Sequence, residues 1–185
     1  MPSLIKKCLS MSALFIYLAI SGTAFAHEGE DHSAKAAQPA LSAQGKRVVA
    51  VLEDYAAAVQ SGDIAKIENY VITGEGFSSL EGTFEDLGWQ SYRKHMASEM
   101  PMFNDTHYTL SNIRPYVRGD MTFATMDYVM NVTIKSDQFE GGEHKLVMKG
   151  KITMVLTKQN DEWKIRHIHT SREQAKKPGA ENSSH

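Results

Sequence analysis

Residues 145–158 alternate strictly between two sets of side chains, and this alternation constrains the fold more than any other feature of the sequence. One set is apolar or small and comprises Leu146, Met148, Gly150, Ile152, Met154 and Leu156. The other set mixes apolar with polar residues and comprises Val147, Lys149, Lys151, Thr153, Val155 and Thr157. Because successive side chains of a strand point to opposite faces, the pattern predicts a β-strand with one buried face and one partly solvated face.

Further strands are predicted on both sides of this one, separated by turn residues. We expect long strands at about 107–117, 121–135, 145–158 and 162–171, and a short one at 77–80. The turns between the long strands fall at 118–120, 138–143 and 159–161, which are rich in Gly, Asn and Asp. The second half of the chain therefore reads as an antiparallel meander.

Three helices are predicted before the long strands. The first covers about 41–61, because apolar residues recur at three- and four-residue spacing, namely Val48, Val51, Leu52, Tyr55 and Val59. Asp63 is suited to cap a short second helix, and a third begins after Gly88 and ends at Pro101. Helices followed by strands indicate an α+β fold.

The two ends of the chain differ from the domain between them. Residues 1–26 combine Lys6 and Lys7, an apolar run at 11–20 and the small residues Ala24 and Ala26, which is typical of a cleaved secretory signal. We therefore expect a periplasmic or secreted protein without a membrane anchor after cleavage. A flexible arm at 27–40 and a disordered tail at 173–185 are expected to flank one domain at 41–172.

The charge balance excludes one class of partner. The sequence has 20 Lys and Arg against 22 Asp and Glu, a formal net charge of −2. Binding to a phosphate backbone needs a basic excess, so nucleic acid is not an expected partner.

Three segments resemble a known superfamily. They are 55–63 (YAAAVQSGD), 88–95 (GWQSYRKH) and 163–171 (WKIRHIHTS). Their order and spacing resemble the NTF2-like superfamily, in particular its SnoaL-like and steroid-isomerase-like branches. The last segment is also similar to the closing strand of the association domain of calcium/calmodulin-dependent kinases. The resemblance covers about 41–172 and implies a cone in which the helices pack inside a strongly curved antiparallel sheet. It also implies a pocket in the cone and a homodimer formed through the outer sheet face.

The resemblance implies less about chemistry. In steroid isomerases the tyrosine matching Tyr55 is an oxyanion donor, and the place of the carboxylate base falls here near Ser79 or Leu80. Glu81 is the nearest carboxylate, but a shift of one residue on a strand reverses the direction of its side chain. Binding of a small, partly apolar ligand is therefore favoured, with an isomerase- or cyclase-type enzyme as an alternative and the catalytic residues unknown.

Two histidines of the last strand are candidates for the pocket. Trp163, His167 and His169 share a parity, and the face of Trp163 is expected to point inward. Histidines two apart on a strand could bind an anionic ligand, hold a metal ion or shuttle protons. They could also be hydrogen-bonded histidines of the core and the pocket floor.

The other pocket candidates come from helices and from the middle strands. Tyr128 shares a parity with Met126 and Met130 and is expected to face the pocket. The complete predicted ligand-binding set is Tyr55, Trp89, Tyr128, His167 and His169. His95 and Glu99 lie four apart on the third helix, where they could reach the pocket mouth or form an exposed ion pair at its rim.

Metal binding is a separate hypothesis. The arm His27-Glu-Gly-Glu-Asp-His32 could chelate Cu(II) or Zn(II) through His27 and His32, or be a solvated linker. Methionines near residues 96–102 suit Cu(I), although core filling is the commoner use of methionine. No other cofactor is expected. The alternatives to ligand binding are therefore metal handling through the arm and an assembly domain that acts through its dimer face.

Overall fold

The computed structural model describes residues 40–137 and 139–173. The predicted signal, nearly all of the arm including His27 and His32, and nearly all of the predicted tail lie outside these residues. The described residues all belong to the larger of two units of the chain, Pro39–His185.

The helices follow the predicted caps and periodicity. Helix α1 is Ala43–Gln60, and its buried residues include Val48, Leu52 and Tyr55. Helix α2 is Ile64–Glu68, and the residue before it, Asp63, is its N-cap. The side chain of Asp63 accepts hydrogen bonds from the backbone N–H groups of Ala65 and Lys66. In the described ranges, no helix combines the length and the hydropathy needed to cross a bilayer.

Helix α3 is Trp89–Glu99 and buries Trp89 and Met96. A short 3-10 turn, Met100–Met102, follows it and contains Pro101. The predicted stop is therefore confirmed, because proline lacks the N–H group that would continue the helix.

Six strands form one sheet. They are β1 (Ser78–Glu81), β2 (Phe84–Leu87), β3 (Phe103–Arg118), β4 (Met121–Lys135), β5 (Glu143–Gln159) and β6 (Glu162–Arg172). Their order in space is β2-β1-β6-β5-β4-β3. Four neighbouring pairs are antiparallel, whereas β1 runs parallel to β6. The expectation of an antiparallel sheet is thus corrected to a curved, open, mixed sheet within the confirmed α+β class.

The inner face of the sheet carries the core. Ile152, Met154 and Leu156 are buried on β5, as the alternation predicts. Trp163 and Ile165 are buried beside them on β6, which confirms the inward face of Trp163. Helix α1 packs against β3 and β6 on this side of the sheet. The alternation of β5 therefore fixes which side of the sheet the helices cover.

A bulge in β6 changes the parity of its second half. Ile165 pairs with Leu156, but the next pair is His167 with Val155. β6 therefore advances by two residues where β5 advances by one. Arg166 is the extra residue. Beyond it Ile168 is buried, whereas an uninterrupted strand would have placed residues of odd number inside.

Strand β3 is irregular at two points. Its pairing with β4 shifts between Asn104 and His107 and again between Ser111 and Arg114. Asp105 and Asn112 lie within these shifts and have φ values of 49° and 52°. Short polar side chains tolerate this left-handed conformation better than other residues except glycine.

Candidate functional site

A cavity of about 150 Å³ lies on the inner side of the sheet. Its walls come from α1, from α3, from the hairpin formed by β1 and β2, and from strands β3 to β6. An apolar cavity of roughly this volume in another protein holds benzene. The space therefore suits a molecule with about one ring.

Two tyrosine hydroxyls meet in this cavity. Tyr55 on α1 and Tyr92 on α3 lie with their hydroxyl oxygens 3.2 Å apart. Only one of the two protons is used between them, so the other is available to a ligand. Tyr108 and Tyr128 line the opposite wall, with ring centroids 6.2 Å apart.

Burial raises the pKa values of these tyrosines further above neutral pH. It raises the pKa of Tyr55 well above the ordinary value, and the neighbouring hydroxyls of Tyr92 and Tyr108 raise it further. Burial also raises the pKa of Tyr92 to about 12, although its hydrogen bond with Tyr55 acts in the opposite direction. The pKa values of Tyr108 and Tyr128 are raised mainly by burial as well. At neutral pH all four hydroxyls can therefore donate hydrogen bonds.

An ion pair lies at another part of the wall. Glu81 of β1 and Arg172 of β6 form a salt bridge, and both line the cavity. Ser79 lines the cavity too, since it lies two residues before Glu81 on the same face of β1. Glu81 therefore faces the cavity on the same side of β1 as Ser79, so strand parity does not turn it away from the place expected for a base.

His95 lies between two carboxylates where α3 borders the cavity. Its Nδ1 is 2.8 Å from Oδ2 of Asp86 on β2, and its Nε2 is 3.1 Å from Oε1 of Glu99 on α3. Ser91 donates to the other oxygen of Asp86 at 2.7 Å. His95 and Glu99 thus form an ion pair and also line the cavity, so both alternatives drawn from their spacing apply.

Opposing effects act on the pKa of His95. Burial lowers it, but the hydrogen bond to Asp86 and the charge of Glu99 outweigh burial. The net result is a pKa above the ordinary value of 6.5. The charged form of His95 is therefore stabilised in the folded protein.

Methionines supply much of the remaining surface. Met96, Met100, Met130 and Met148 line the cavity, whereas Met102 does not. Nowhere in 40–137 or 139–173 do three His, Cys, Asp or Glu side chains form a group that could hold a metal ion. The four wall methionines give the cavity an adaptable apolar lining.

Three of the predicted ligand-binding residues lie near the cavity, but only two line it. Tyr55 and Tyr128 are wall residues, as predicted. Trp89 is buried behind the wall, where its ring packs against Phe77 and Tyr92. Its Nε1 donates to Oε1 of Glu68 at 3.1 Å. The expected place of Trp89 on the wall is thus corrected to a supporting place behind Tyr92.

His167 and His169 lie on the other side of the sheet. The bulge at Arg166 puts Ile168, Thr170 and Arg172 on the cavity side, so the two histidines point away from it. His167 instead shares a hydrogen bond of 2.8 Å with Ser78. Burial and the nearby His169 lower the pKa of His167. The prediction that these histidines share the inward face of Trp163 is therefore wrong.

Several wall residues are absent from the predicted set. Tyr92 follows Trp89 at three-residue spacing in the apolar pattern of α3, and Tyr108 precedes Leu110 in the alternation of β3. These two could have been found from periodicity. Arg172 could not, because its inward direction depends on the bulge in β6.

Known proteins resemble this chain in a family profile and in fold. The profile of a family described as a SnoaL-like domain matches residues 48–174. No curated protein sequence matches the chain significantly. The expected NTF2-like, SnoaL-like resemblance is confirmed by this profile and by solved structures.

Three of the similar solved structures illustrate the fold. An NTF2-like superfamily protein from Salmonella enterica is 17% identical, with 74% of this chain and 96% of that chain covered and a TM-score of 0.61. A putative dehydratase of the NTF2-like family from Streptomyces avermitilis is 18% identical, with coverage of 70% and 97% and a TM-score of 0.61. The CaMKII hub of S. rosetta is 20% identical, with coverage of 74% and 100% and a TM-score of 0.55. At these identities the likeness establishes the fold alone.

Proposed function

The chain belongs to the SnoaL-like family, and on this premise we propose that it binds a small, partly apolar molecule in the tyrosine-lined cavity. The observation that carries the proposal is the pair of tyrosine hydroxyls, Tyr55 and Tyr92, in a cavity that combines an apolar lining with a few charged side chains. Pockets for small molecules have this composition, with a few polar groups placed in an apolar lining.

The polar groups indicate what part of the ligand they meet. Protonated hydroxyls surrounded by apolar side chains favour an oxygen that accepts hydrogen bonds, such as a ketone or ester carbonyl. A buried acceptor that lacked this partner would lose the hydrogen bonds it makes in water. The ligand is thus a compact, roughly one-ring molecule with a carbonyl-type oxygen.

Removing the hydroxyl of Tyr92 tests the proposal. For Tyr92→Phe we expect binding of 4-methylacetophenone, followed by titration calorimetry or by Trp fluorescence, to weaken about fivefold to tenfold. The reason is the loss of a hydrogen bond worth roughly 1 kcal/mol. Tyr116 stacks on Phe123 on the outer face, so Tyr116→Phe is the matched control and should bind normally. Unchanged affinity in Tyr92→Phe, or failure of the natural protein to bind the ketone, would argue against this ligand class.

An acid–base enzyme is a second candidate function. It is favoured by one observation, the titratable group formed by Asp86, His95 and Glu99 beside the same cavity. The structure from Streptomyces avermitilis is described as a putative dehydratase, and dehydration requires proton transfer. Turnover of a hydroxylated carbonyl compound, lost in His95→Phe, would support this candidate over simple binding.

The outer sheet face supports a further proposal, association of two copies of the chain. Exposed apolar side chains of β4 and β5 are diagonal neighbours there: Val129 and Val147 are 38% and 63% exposed, and Val129 pairs with Lys149, two residues from Val147. A patch of this kind on a folded domain marks an interaction surface. The similar structure from S. rosetta is described as a CaMKII hub.

Introducing a charge into this face tests the dimer. For Val147→Glu we expect self-association, measured by sedimentation equilibrium, to weaken about tenfold or more, because the carboxylate would be desolvated in the interface. Glu140→Gln changes an exposed loop residue and is the control. A natural chain that sediments as a monomer at micromolar concentration would contradict the proposal.

A further inference from the structure

His95 is held by two carboxylates that differ in freedom. The side chain of Asp86 is only 13% exposed and is fixed from its other oxygen by Ser91. The side chain of Glu99 is 50% exposed, and its bond to His95 is the longer of the two. Asp86 is therefore the fixed partner of the ring and Glu99 the movable one.

The two protonation states of His95 use these partners differently. A charged imidazole donates from both nitrogens and satisfies both carboxylates. A neutral imidazole donates from one nitrogen only, and Asp86 holds that proton on Nδ1. Nε2 then carries a lone pair that faces the oxygen of Glu99, an unfavourable contact which Glu99 can relieve by turning to solvent.

We propose that His95 selects the ligand: its Nε2 accepts a hydrogen bond from a hydroxyl or N–H group of the ligand, in the place that Glu99 occupies in this structure. The inference rests on the proposed function, since the donor group must belong to a molecule already bound in the cavity. It adds a second point of recognition to the tyrosine pair. The ligand class becomes a one-ring molecule with an acceptor oxygen at one position and a donor group at another.

The other acceptors near His95 are carboxylates, which accept hydrogen bonds throughout the range from pH 5.5 to 7.5. From β2 it faces Asp86, and from its own helix it faces Glu99 and the edge of the Tyr92 ring, 6.3 Å away between centroids. Glu81 of β1 also lines the cavity, and its Oε1 accepts a hydrogen bond from Arg172 of β6. Nε2 differs from these acceptors because it becomes an acceptor only when His95 loses its proton.

The affinity for a donor ligand depends on pH because a proton and the ligand compete for Nε2 of His95. Asp86 and Glu99 raise the pKa of His95 above its ordinary value despite its burial. Below that pKa the proton occupies Nε2 and Glu99 stays in place, so a donor ligand gains no hydrogen bond from His95. Above it Nε2 is free, so the affinity for a donor ligand increases with pH, whereas the affinity for a ligand without a donor does not.

The test compares two probes of nearly equal size, 4-hydroxyacetophenone and 4-methylacetophenone, from pH 5.5 to 7.5. Both carry the carbonyl, but only the first carries a donor. With the full-length protein we expect 4-hydroxyacetophenone to bind less than about twofold more tightly at pH 5.5, and the preference to rise with pH toward about tenfold, a change the size of one hydrogen bond. Equal affinities at every pH would overturn the inference.

Three variants assign the effect to His95. Glu99→Ala removes the competing carboxylate, so the preference for 4-hydroxyacetophenone should persist to a lower pH. Asp86→Asn leaves the ring in place but allows the proton to move to Nε2, which should abolish the preference. His95→Phe should abolish it as well, with the thermal midpoint reporting whether this variant folds.

Controls separate this inference from the proposed function. His169 is exposed on the far side of the sheet, and His169→Gln should keep the full pH dependence. If 4-methylacetophenone binds at least as tightly as 4-hydroxyacetophenone at pH 7.5, the inference is wrong and the proposed function stands. If His169→Gln rather than His95→Phe removed the preference, the donor would be recognised elsewhere. If neither probe binds, the proposed function fails first.

Discussion

Replacing Trp163 with alanine should lower the free energy of unfolding by about 3–5 kcal/mol, because it leaves a cavity under the sheet. Trp163 is only 4% exposed and is part of the buried cluster between the sheet and α1. Its Nε1 also donates to Oε1 of Gln44 on α1 at 3.3 Å, so the substitution removes a link between helix and sheet. Chemical denaturation followed by circular dichroism measures the loss.

Arg166→Ala is the matched control on the same strand. Arg166 is the exposed extra residue of the bulge, and its truncation should cost less than about 0.5 kcal/mol. If the two variants had the same denaturation midpoint, the inward face of Trp163 would be wrong. A large loss in Arg166→Ala alone would indicate that its side chain stabilises the bulge.

Gly150→Ala is expected to destabilise the protein by about 3 kcal/mol, near the upper end for an added methyl group in a packed site. Gly150 lies on β5 between Tyr128 of β4 and Arg172 of β6. A Cβ atom at this position would overlap the carbonyl oxygen of Ser171, which belongs to the backbone and cannot rotate away. Strand β6 would have to move, and Arg172 with it. The thermal midpoint reports the loss of stability.

Gly74→Ala separates this effect from the general cost of replacing a glycine. An added Cβ at Gly74 has no neighbour within 4 Å, so this variant should stay within about 0.5 kcal/mol of the natural protein. Equal stability of the two alanine variants would show that β5 and β6 do not approach as closely at Gly150 as described.

Local signals predicted most of the elements. Strand β4 has the bounds expected from the turn residues around it, and α2 begins at the expected cap, Asp63. These features depend on neighbours in sequence, such as side chains that satisfy the first N–H groups of a helix. The buried side of β5 could also be predicted, because its alternation runs over the whole strand and makes only one of its two faces consistently apolar.

Long-range pairing explains what could not be predicted. Strand β2 has four residues, of which Phe84 and Leu87 are exposed, so it lacks the alternation of a strand with a buried face. The parallel pairing of β1 with β6 joins residues about 90 positions apart, and nothing in either short segment specifies it. Such contacts depend on the whole sheet.

The candidate site could be predicted where the spacing of residues along a helix or strand continues without interruption. Tyr55 and Tyr128 lie on elements without interruption before them, and both line the cavity. The error at His167 and His169 has one cause, the extra residue Arg166, because a single inserted residue exchanges the two faces of every later position. The sequence around Arg166 contains no glycine or proline that would mark a bulge.

The irregular course of β3 bears on how copies of this chain avoid pairing through their edges. β3 ends the sheet on one side and has 16 residues, long enough to template another strand along its free N–H and C=O groups. The left-handed residues Asp105 and Asn112 interrupt that row at two places, and Pro115 has no N–H to offer. An approaching strand therefore finds only short stretches of regular edge. Substitutions that straighten these positions would expose the chain to edge-to-edge aggregation even where they strengthen the β3–β4 ladder.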